Sequence, residues 1–190
     1  MKKIFLIFGF ILVFTAVFLP AQTANNPALK PLLNHFAARN FTTEEVTRAE
    51  LDLIIEAGIR APSASNRQPW FFTVVQNQNL ARRIFPQSTQ GNVLIIVSAV
   101  ADTKTNASII MDCSMAIQSM YLAAQALGLG SRIYISSVDT INSNHKSELS
   151  MPQNQNAVAL IRIGRLPPNA ADTISSASQR KDTRGIVTYK

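Results

Sequence analysis

The order of elements along the chain predicts an α+β fold, a three-layer sandwich with helices on both faces of a central sheet. Four segments, Trp70–Val75, Val93–Val100, Ser131–Ile135 and Ala157–Ile163, have the aromatic and branched content of strands and alternate with helical patterns. The second is a nearly continuous apolar run, as expected of a central strand buried on both faces. The glycine string Gly128-Leu129-Gly130-Ser131 leaves a helix and opens a strand, the reverse of a dinucleotide-binding loop, and it lacks a third glycine. Capping explains it better than a Rossmann fold does.

At 190 residues the chain is one domain's length, with room for a sizeable core. Its first residues stand apart. Lys2 and Lys3 form a positive region, Ile4–Leu19 is an uncharged run of 16 residues, and Pro20-Ala21-Gln22-Thr23-Ala24 supplies small residues for cleavage. Residues 1–23 therefore read as a signal peptide and residues 24–190 as a single domain, exported to a periplasm or secreted. The run is short of the roughly 20 residues of a spanning helix, so a membrane anchor requires that the segment stay uncleaved.

After a linker at Asn25-Asn26-Pro27, Leu29–Ala38 reads as a helix with Leu32, Leu33 and Phe36 on one face. Thr47-Arg48-Ala49-Glu50 is a capping box, and Leu51, Ile54, Ile55 and Gly58 continue the buried stripe of a helix ending near Arg60. A short helix is expected at Asn79–Phe85, stopped by Pro86. Ala107–Leu127 is the longest helix, apolar along Ile110, Cys113, Ile117, Met120, Ala124 and Leu127; a dimer interface or the core helix of a monomer accounts for it equally. Gly128 is a natural stop, Asp139 a cap for a helix through Leu149, and Ile186-Val187 an addition to a sheet edge.

The chain carries a net charge of +7, which becomes +5 once Lys2 and Lys3 are removed. Its cations are scattered without the clustering of a nucleic-acid binder, so no nucleic-acid partner is expected and a basic surface-binding module is the weakest reading. The exception is Arg180-Lys181-Asp182-Thr183-Arg184, a solvated tail or a site for one phosphate. A lone Cys113 in a helical pattern reads as a small buried hydrophobe and makes no intrachain disulfide. Two histidines, His35 and His145, without a nucleophile elbow speak against a hydrolase, and no ligand spacing suggests a metal. Glu44, Glu45, Glu50, Asp52 and Glu56 read as a solvated helix face. So few acid–base groups favour chemistry that resides in a cofactor.

Between a helix and a strand lies Ala61-Pro62-Ser63-Ala64-Ser65-Asn66-Arg67-Gln68-Pro69-Trp70. Prolines fix its ends, and hydroxyls, amides and an arginine offer hydrogen bonds without bulk, a composition suited to cradling a flat polar ligand. Trp70 itself reads as core.

This string resembles the Pro-Ser-x-x-Asn-x-Gln-Pro-Trp signature of the nitroreductase family. Arg39-Asn40-Phe41, Leu51–Ala57, Asp112-Cys113-Ser114-Met115-Ala116 through Gly128-Leu129-Gly130-Ser131, and Arg180-Lys181 extend the resemblance over most of the chain. It implies a mostly antiparallel central sheet and a homodimer with Ala107–Leu127 at its interface, each site built from two subunits around FMN. It places Arg39 against the pyrimidine edge of the flavin, where a cation stabilises charge developing on reduction. Ser63 and Asn66 touch the cofactor, with Pro62, Ala64 and Gln68 in the same loop; Ser136 stands where many relatives have a glycine near the reactive edge. Arg180 pairs with the phosphate beside Lys181, with Ser178 where relatives often carry another cation. His35 and Ala37 occupy positions that hold an arginine and a serine in relatives, which leaves His35, Arg180 and Lys181 for the phosphate.

The implied activity is FMN-dependent transfer of electrons from NAD(P)H, or another reductant outside the cytoplasm, to nitroaromatic or quinone substrates in a ping-pong cycle. Only Ala101–Asn106 stands where larger relatives insert lid helices, so the pocket is expected to be open to small aromatic acceptors. The alternative is a non-catalytic exported protein that keeps the fold and binds flavin or serves structurally.

Overall fold

Four strands, β1 (Trp70–Val75), β2 (Val93–Val100), β3 (Leu129–Tyr134) and β4 (Gln155–Arg165), hydrogen-bond in the order β1-β2-β4-β3, with every neighbouring pair antiparallel. The structure, a computed structural model, describes residues 26–100, 106–168, 170 and 180–190. The expected signal segment 1–23, loop residues 101–105 and Ser178 lie outside the described residues.

The apolar run of β2 takes the centre it predicts. Val93 to Ala99 are buried throughout, because both faces of the strand are covered. On one face, Ile95, Val97, Ile161 and Ile163 pack against α2 (Arg48–Ile59) and α4 (Ala107–Ala126). On the other, Leu94, Ile96 and Leu160 pack with α3 (Gln78–Ile84) and the segment from Ile141 to Met151. That makes three layers. Each fully buried Ile or Leu side chain contributes about 1.5–3 kcal/mol, and the largest are concentrated on these strands. Between Val97 and Ser98 the β2–β4 register slips: Val97 faces Ala159 and Ser98 faces Ala157, leaving Val158 as the extra residue of a bulge.

Local signals hold where their hydrogen bonds are local. The Thr47 side chain accepts from the Glu50 N–H and Glu50 returns to the Thr47 N–H, closing the capping box of α2. Asn77 caps α3 by accepting from the Leu80 N–H. Gly58 lets α2 approach α4 closely, since a Cβ there would sit 2.8 Å from Met120 Cγ. Trp70 is core, as expected.

Other expectations are corrected. The first helix, α1, is one turn, Lys30–Leu33, rather than Leu29–Ala38. Leu32 and Leu33 are exposed, and the Phe36 and Ala38 N–H groups donate to the Gln125 side chain and the Ser131 carbonyl instead of continuing a helix. Asp139 does not cap a helix through Leu149; a helical turn at Val138–Thr140 runs into a π-helical turn at Ile141–His145. Ile186 and Val187 form no strand and are exposed, beyond a single turn at Thr183–Gly185. Glu50 is not simply solvated, because it pairs with Arg165 at the end of β4 at 2.7 Å.

Candidate functional site

The segment between α2 and β1 folds on itself. Ala64–Asn66 makes a 3₁₀ turn, and Ser65, Asn66 and Gln68 have φ of 51°, 54° and 44°. None is glycine, so each left-handed residue costs roughly 1–2 kcal/mol. The Ser63 hydroxyl accepts from the Gln68 N–H at 3.1 Å, and Gln68 Nε2 donates to the Asn66 carbonyl at 3.3 Å and side chain at 3.2 Å. Pro62, Ala64, Asn66 and Gln68 are exposed, and Ser63 is half-buried. A polar wall results, facing away from its own core.

Asp112 of α4 anchors this wall and was assigned no role on sequence grounds. Its carboxylate is buried and accepts from the Ala64 N–H at 3.0 Å and from Arg67 Nε at 2.5 Å; Arg67 also donates to the Ser108 hydroxyl. Burial alone would raise the Asp112 pKa, but the Ala64 amide and the Arg67 guanidinium outweigh it and hold the carboxyl below its usual range. The signal in the sequence is a lone carboxylate on an otherwise apolar helix. Cys113 beside it is fully buried, its thiol pushed up to about 11 by burial and by the Asp112 charge, which fits an inert hydrophobe.

Arg39 belongs to a second group. The Phe36 backbone exchanges hydrogen bonds with the Gln125 side chain at 3.1 and 2.9 Å, Ala38 N–H donates to the Ser131 carbonyl, and Thr42 N–H donates to the Arg165 carbonyl. These contacts lay residues 36–42 across the ends of β3 and β4. Gly130 and Gly164 face each other in register and leave a notch there. A Cβ on Gly130 would come within 2.9 Å of Ala38 Cβ and Phe41 Cε1, and one on Gly164 within 2.7 Å of Phe41 Cδ1. Gly130 thus serves close packing rather than capping, while Gly128 with φ +78° is the helix stop. The buried Arg162 guanidinium lies 4.3 Å from the Phe41 ring centroid and donates to the Asn92 side chain at 2.6 Å. Sequence reasoning missed Arg162, whose role exists only once β4 and residue 41 meet. Arg39 and Asn40 stand exposed between the two anchored residues.

His35 packs edge-on against Tyr121, ring centroids 5.5 Å apart, with its Nδ1 3.4 Å from the Tyr121 hydroxyl. Burial first, then the positive charge of Arg180, lowers the His35 pKa. Arg180 therefore lies within electrostatic reach of both His35 and Tyr121. Lys181 follows it, exposed, and the Ala37 side chain offers no donor. His35 also borders a groove of about 450 Å³ with Lys30, Asn34 and Gln125. Further along α4, a largely apolar cleft of about 410 Å³ lies between Ile110, Ser114 and Ile117, the end of β3 at Ile133 and Ile135, and the bulged Val158. Ser136, which follows the lining residue Ile135 in sequence, is exposed.

The two groups lie on different sides of one helix. Nine residues separate Asp112 from Tyr121, two and a half turns at 3.6 residues per turn, so these side chains leave α4 in opposite directions. The loop of residues 63–68 is tied to the Asp112 side; His35 and the cleft lie on the side of Tyr121 and Ile117. Between them runs an exposed stripe with Met111 and Met115. On and beside it, Ser114 and Ser119 donate their hydroxyls to the Ile110 and Met115 carbonyls at 2.7 and 3.0 Å, which spares them the need for water. One copy of the chain does not bring the two halves of the predicted site together.

Comparisons with known proteins bear on this arrangement. A sequence model of the nitroreductase family matches residues 32–93 and 88–165. A protein of Archaeoglobus fulgidus with the provisional name NADH dehydrogenase/NAD(P)H nitroreductase is 32% identical over 111 residues, covering 54% of this chain and 64% of its own length. The chain spans less than two thirds of that relative and, at 63%, of a second one. A nitroreductase of Bacteroides fragilis solved with bound FMN shares the fold with a TM-score of 0.68 at 23% identity, over 87% of this chain and 99% of that one. A Desulfitobacterium hafniense nitroreductase with bound FMN does so with a TM-score of 0.70 at 22% identity, over 87% and 98%.

Proposed function

The chain belongs to the nitroreductase family, and from that premise we propose that it is an FMN-dependent oxidoreductase acting as a homodimer. The observation that carries this reading is the outward polar loop of residues 63–68 on one flank of α4, with an apolar cleft lined by Ile110, Ile117 and Ile133 on the other.

The residues present fit the cofactor at each of its parts. Arg180 and Lys181 supply donors for a phosphate, with His35 beside them. The cleft offers an apolar wall of the kind a flat ring system takes, and the 63–68 loop offers amide and hydroxyl groups for polar ring edges. When bound, FMN supplies two-electron chemistry, from NAD(P)H or another reductant to a nitro or quinone acceptor in a ping-pong cycle. The chain's share is positioning and charge. Arg39, exposed on a segment pinned at Ala38 and Phe41, would supply a positive charge to the flavin edge where negative charge develops. Backbone amides at Ser136 and Ser137 would serve the reactive edge in place of the relatives' glycine.

Homodimerisation completes the site. A second copy seated on the Met111 and Met115 stripe of α4 would bring its own 63–68 loop toward the cleft of the first, since loop and cleft flank that stripe on opposite sides. An exported location, after removal of residues 1–23, is part of the proposal and makes a donor other than NAD(P)H relevant. Ala37 favours the second reading, a non-catalytic exported protein, because its side chain gives the phosphate no hydrogen bond.

The test is to titrate FMN into the purified protein, follow flavin absorbance through gel filtration and then add reduced nicotinamide. Retained flavin that bleaches is expected. Flavin lost on the column would sink the enzyme reading, whereas flavin retained but unbleached points to another donor or to the binding role.

A further inference from the structure

We infer that Asp112 is a positioning residue, which with Arg67 holds the Ser63–Gln68 loop in the shape that meets the cofactor; this rests on the flavin reading above. The loop needs an external constraint. Three non-glycine residues, Ser65, Asn66 and Gln68, sit in the left-handed region within four positions, a backbone that persists only when its surroundings over-determine it. The hydrogen bonds within the loop join Ser63, Asn66 and Gln68 to one another and leave it free to move as a unit.

The carboxylate of Asp112 supplies what they lack. One oxygen accepts the Ala64 N–H at the start of the turn and the other accepts Arg67 Nε at its end. A single rigid group on a long helix therefore spans the turn and sets its distance from α4. Arg67 reaches on to Ser108, one turn earlier on α4, so the fork grips the helix at two points. The Asp112 side chain is 6% exposed and that of Arg67 37% exposed. A buried ion pair is commonly no more stabilising than apolar residues of similar volume, and the buried neighbours Cys113, Ala116 and Ile117 are of that kind. A carboxylate here is explained by what it orients.

The pair also links α4 to the site. The stripe proposed to receive a second copy includes Met111 and Met115, flanking Asp112 in sequence, so the helix that would dock the partner is the helix that holds the loop for it.

The test compares Asp112→Asn, Arg67→Gln and the double variant with the wild-type protein. Three readouts are followed: amide hydrogen exchange at Ala64–Gln68, thermal stability, and the FMN Kd from flavin fluorescence quenching. Asp112→Asn keeps an acceptor for the Ala64 N–H and removes the charge; Arg67→Gln changes the more exposed partner and serves where the first variant is poorly stable. Expected are exchange at Ala64–Gln68 and an FMN Kd each raised about tenfold, a Tm within a few degrees of wild type, and a double variant no worse than either single one. Wild-type exchange or wild-type Kd in both single variants overturns the role, and so does a Kd that rises only in step with a fall in Tm. A wild-type protein that binds no flavin overturns the flavin reading, and the exchange arm then decides by itself whether Asp112 shapes the loop.

Discussion

The two sides of α4 are built differently. On the Asp112 side, the polar wall is a single stretch of six residues, 63–68, tethered at one carboxylate. On the Tyr121 side, the groups gathered along α4 come from residues 35–41, from the ends of β3 and β4, and from Arg180, with sequence separations beyond one hundred residues. A contiguous loop can keep its chemistry as a motif. A surface assembled from four segments depends on the packing that brings them together, so its decisive residues are glycines and a buried arginine that carry no motif.

If the two sides belong to one shared site, separate damage to each should complement. Arg39→Ala on one chain, and a loop with Ser63, Asn66 and Gln68 all changed to Ala on another, should each nearly abolish turnover. Mixed by refolding together, they should recover roughly a quarter of wild-type activity, because half the dimers are mixed and each of those holds one undamaged site. No recovery would show that the two sides do not form one shared site.

Gly130→Val should cost the Tyr121 side about 1–3 kcal/mol through overpacking against Leu166, Ala38 and Phe41. The Tm should fall while exchange at Ala64–Gln68 stays near wild type. Arg180→Ala should raise the FMN Kd about tenfold with a smaller effect on reduction rate, whereas Arg39→Ala should nearly abolish reduction with a smaller effect on Kd. Stopped-flow reduction at saturating flavin separates the two, and the opposite pattern would exchange their roles.

The two sides also differ in their response to pH. His35 has a folded-state pKa below 6.5, through burial and then the Arg180 charge, so the folded apo protein binds a proton there less readily than the unfolded chain. Stability therefore falls as pH drops through 6.5 toward the folded pKa. A phosphate beside His35 reverses this preference, so FMN affinity should rise as pH falls through the same window, and His35→Ala should flatten the profile. The Asp112 side behaves otherwise: its carboxyl titrates below the usual range of 3.8, so its contribution stays until the pH is more acidic than that. The smallest effect expected is at Cys113, where alkylation of the folded protein near pH 8 should be negligible, as judged by intact mass.

Much of this was legible because the forces are local. The Thr47–Glu50 box, the apolar β2 and the apolar stripe of α4 each declare themselves within a few turns or one strand. Leu32, Leu33 and Phe36 have helical spacing, yet the helix stops at Leu33 because the backbone beyond it is claimed by Gln125 and Ser131, distant in sequence. Asp139 looks like a cap, but no side-chain cap bond forms and the turn takes π geometry against β4, where Asn142 accepts from the Ala157 N–H at 2.8 Å.

By itself the sequence determined the alternating layout of helices and strands, the burial of β2, and a loop whose prolines, hydroxyls and amides suit a flat polar ligand. These follow from periodicity and from the conformational limits of individual residues. Only the tertiary structure decided that Asp112 braces the loop, that Gly130 and Gly164 make room for Phe41 beneath Arg162, and that the loop and the cationic end leave α4 in opposite directions. The physical reason is that each of these depends on where distant segments meet, and side-chain chemistry along a chain specifies which groups can pair, not which are brought within reach.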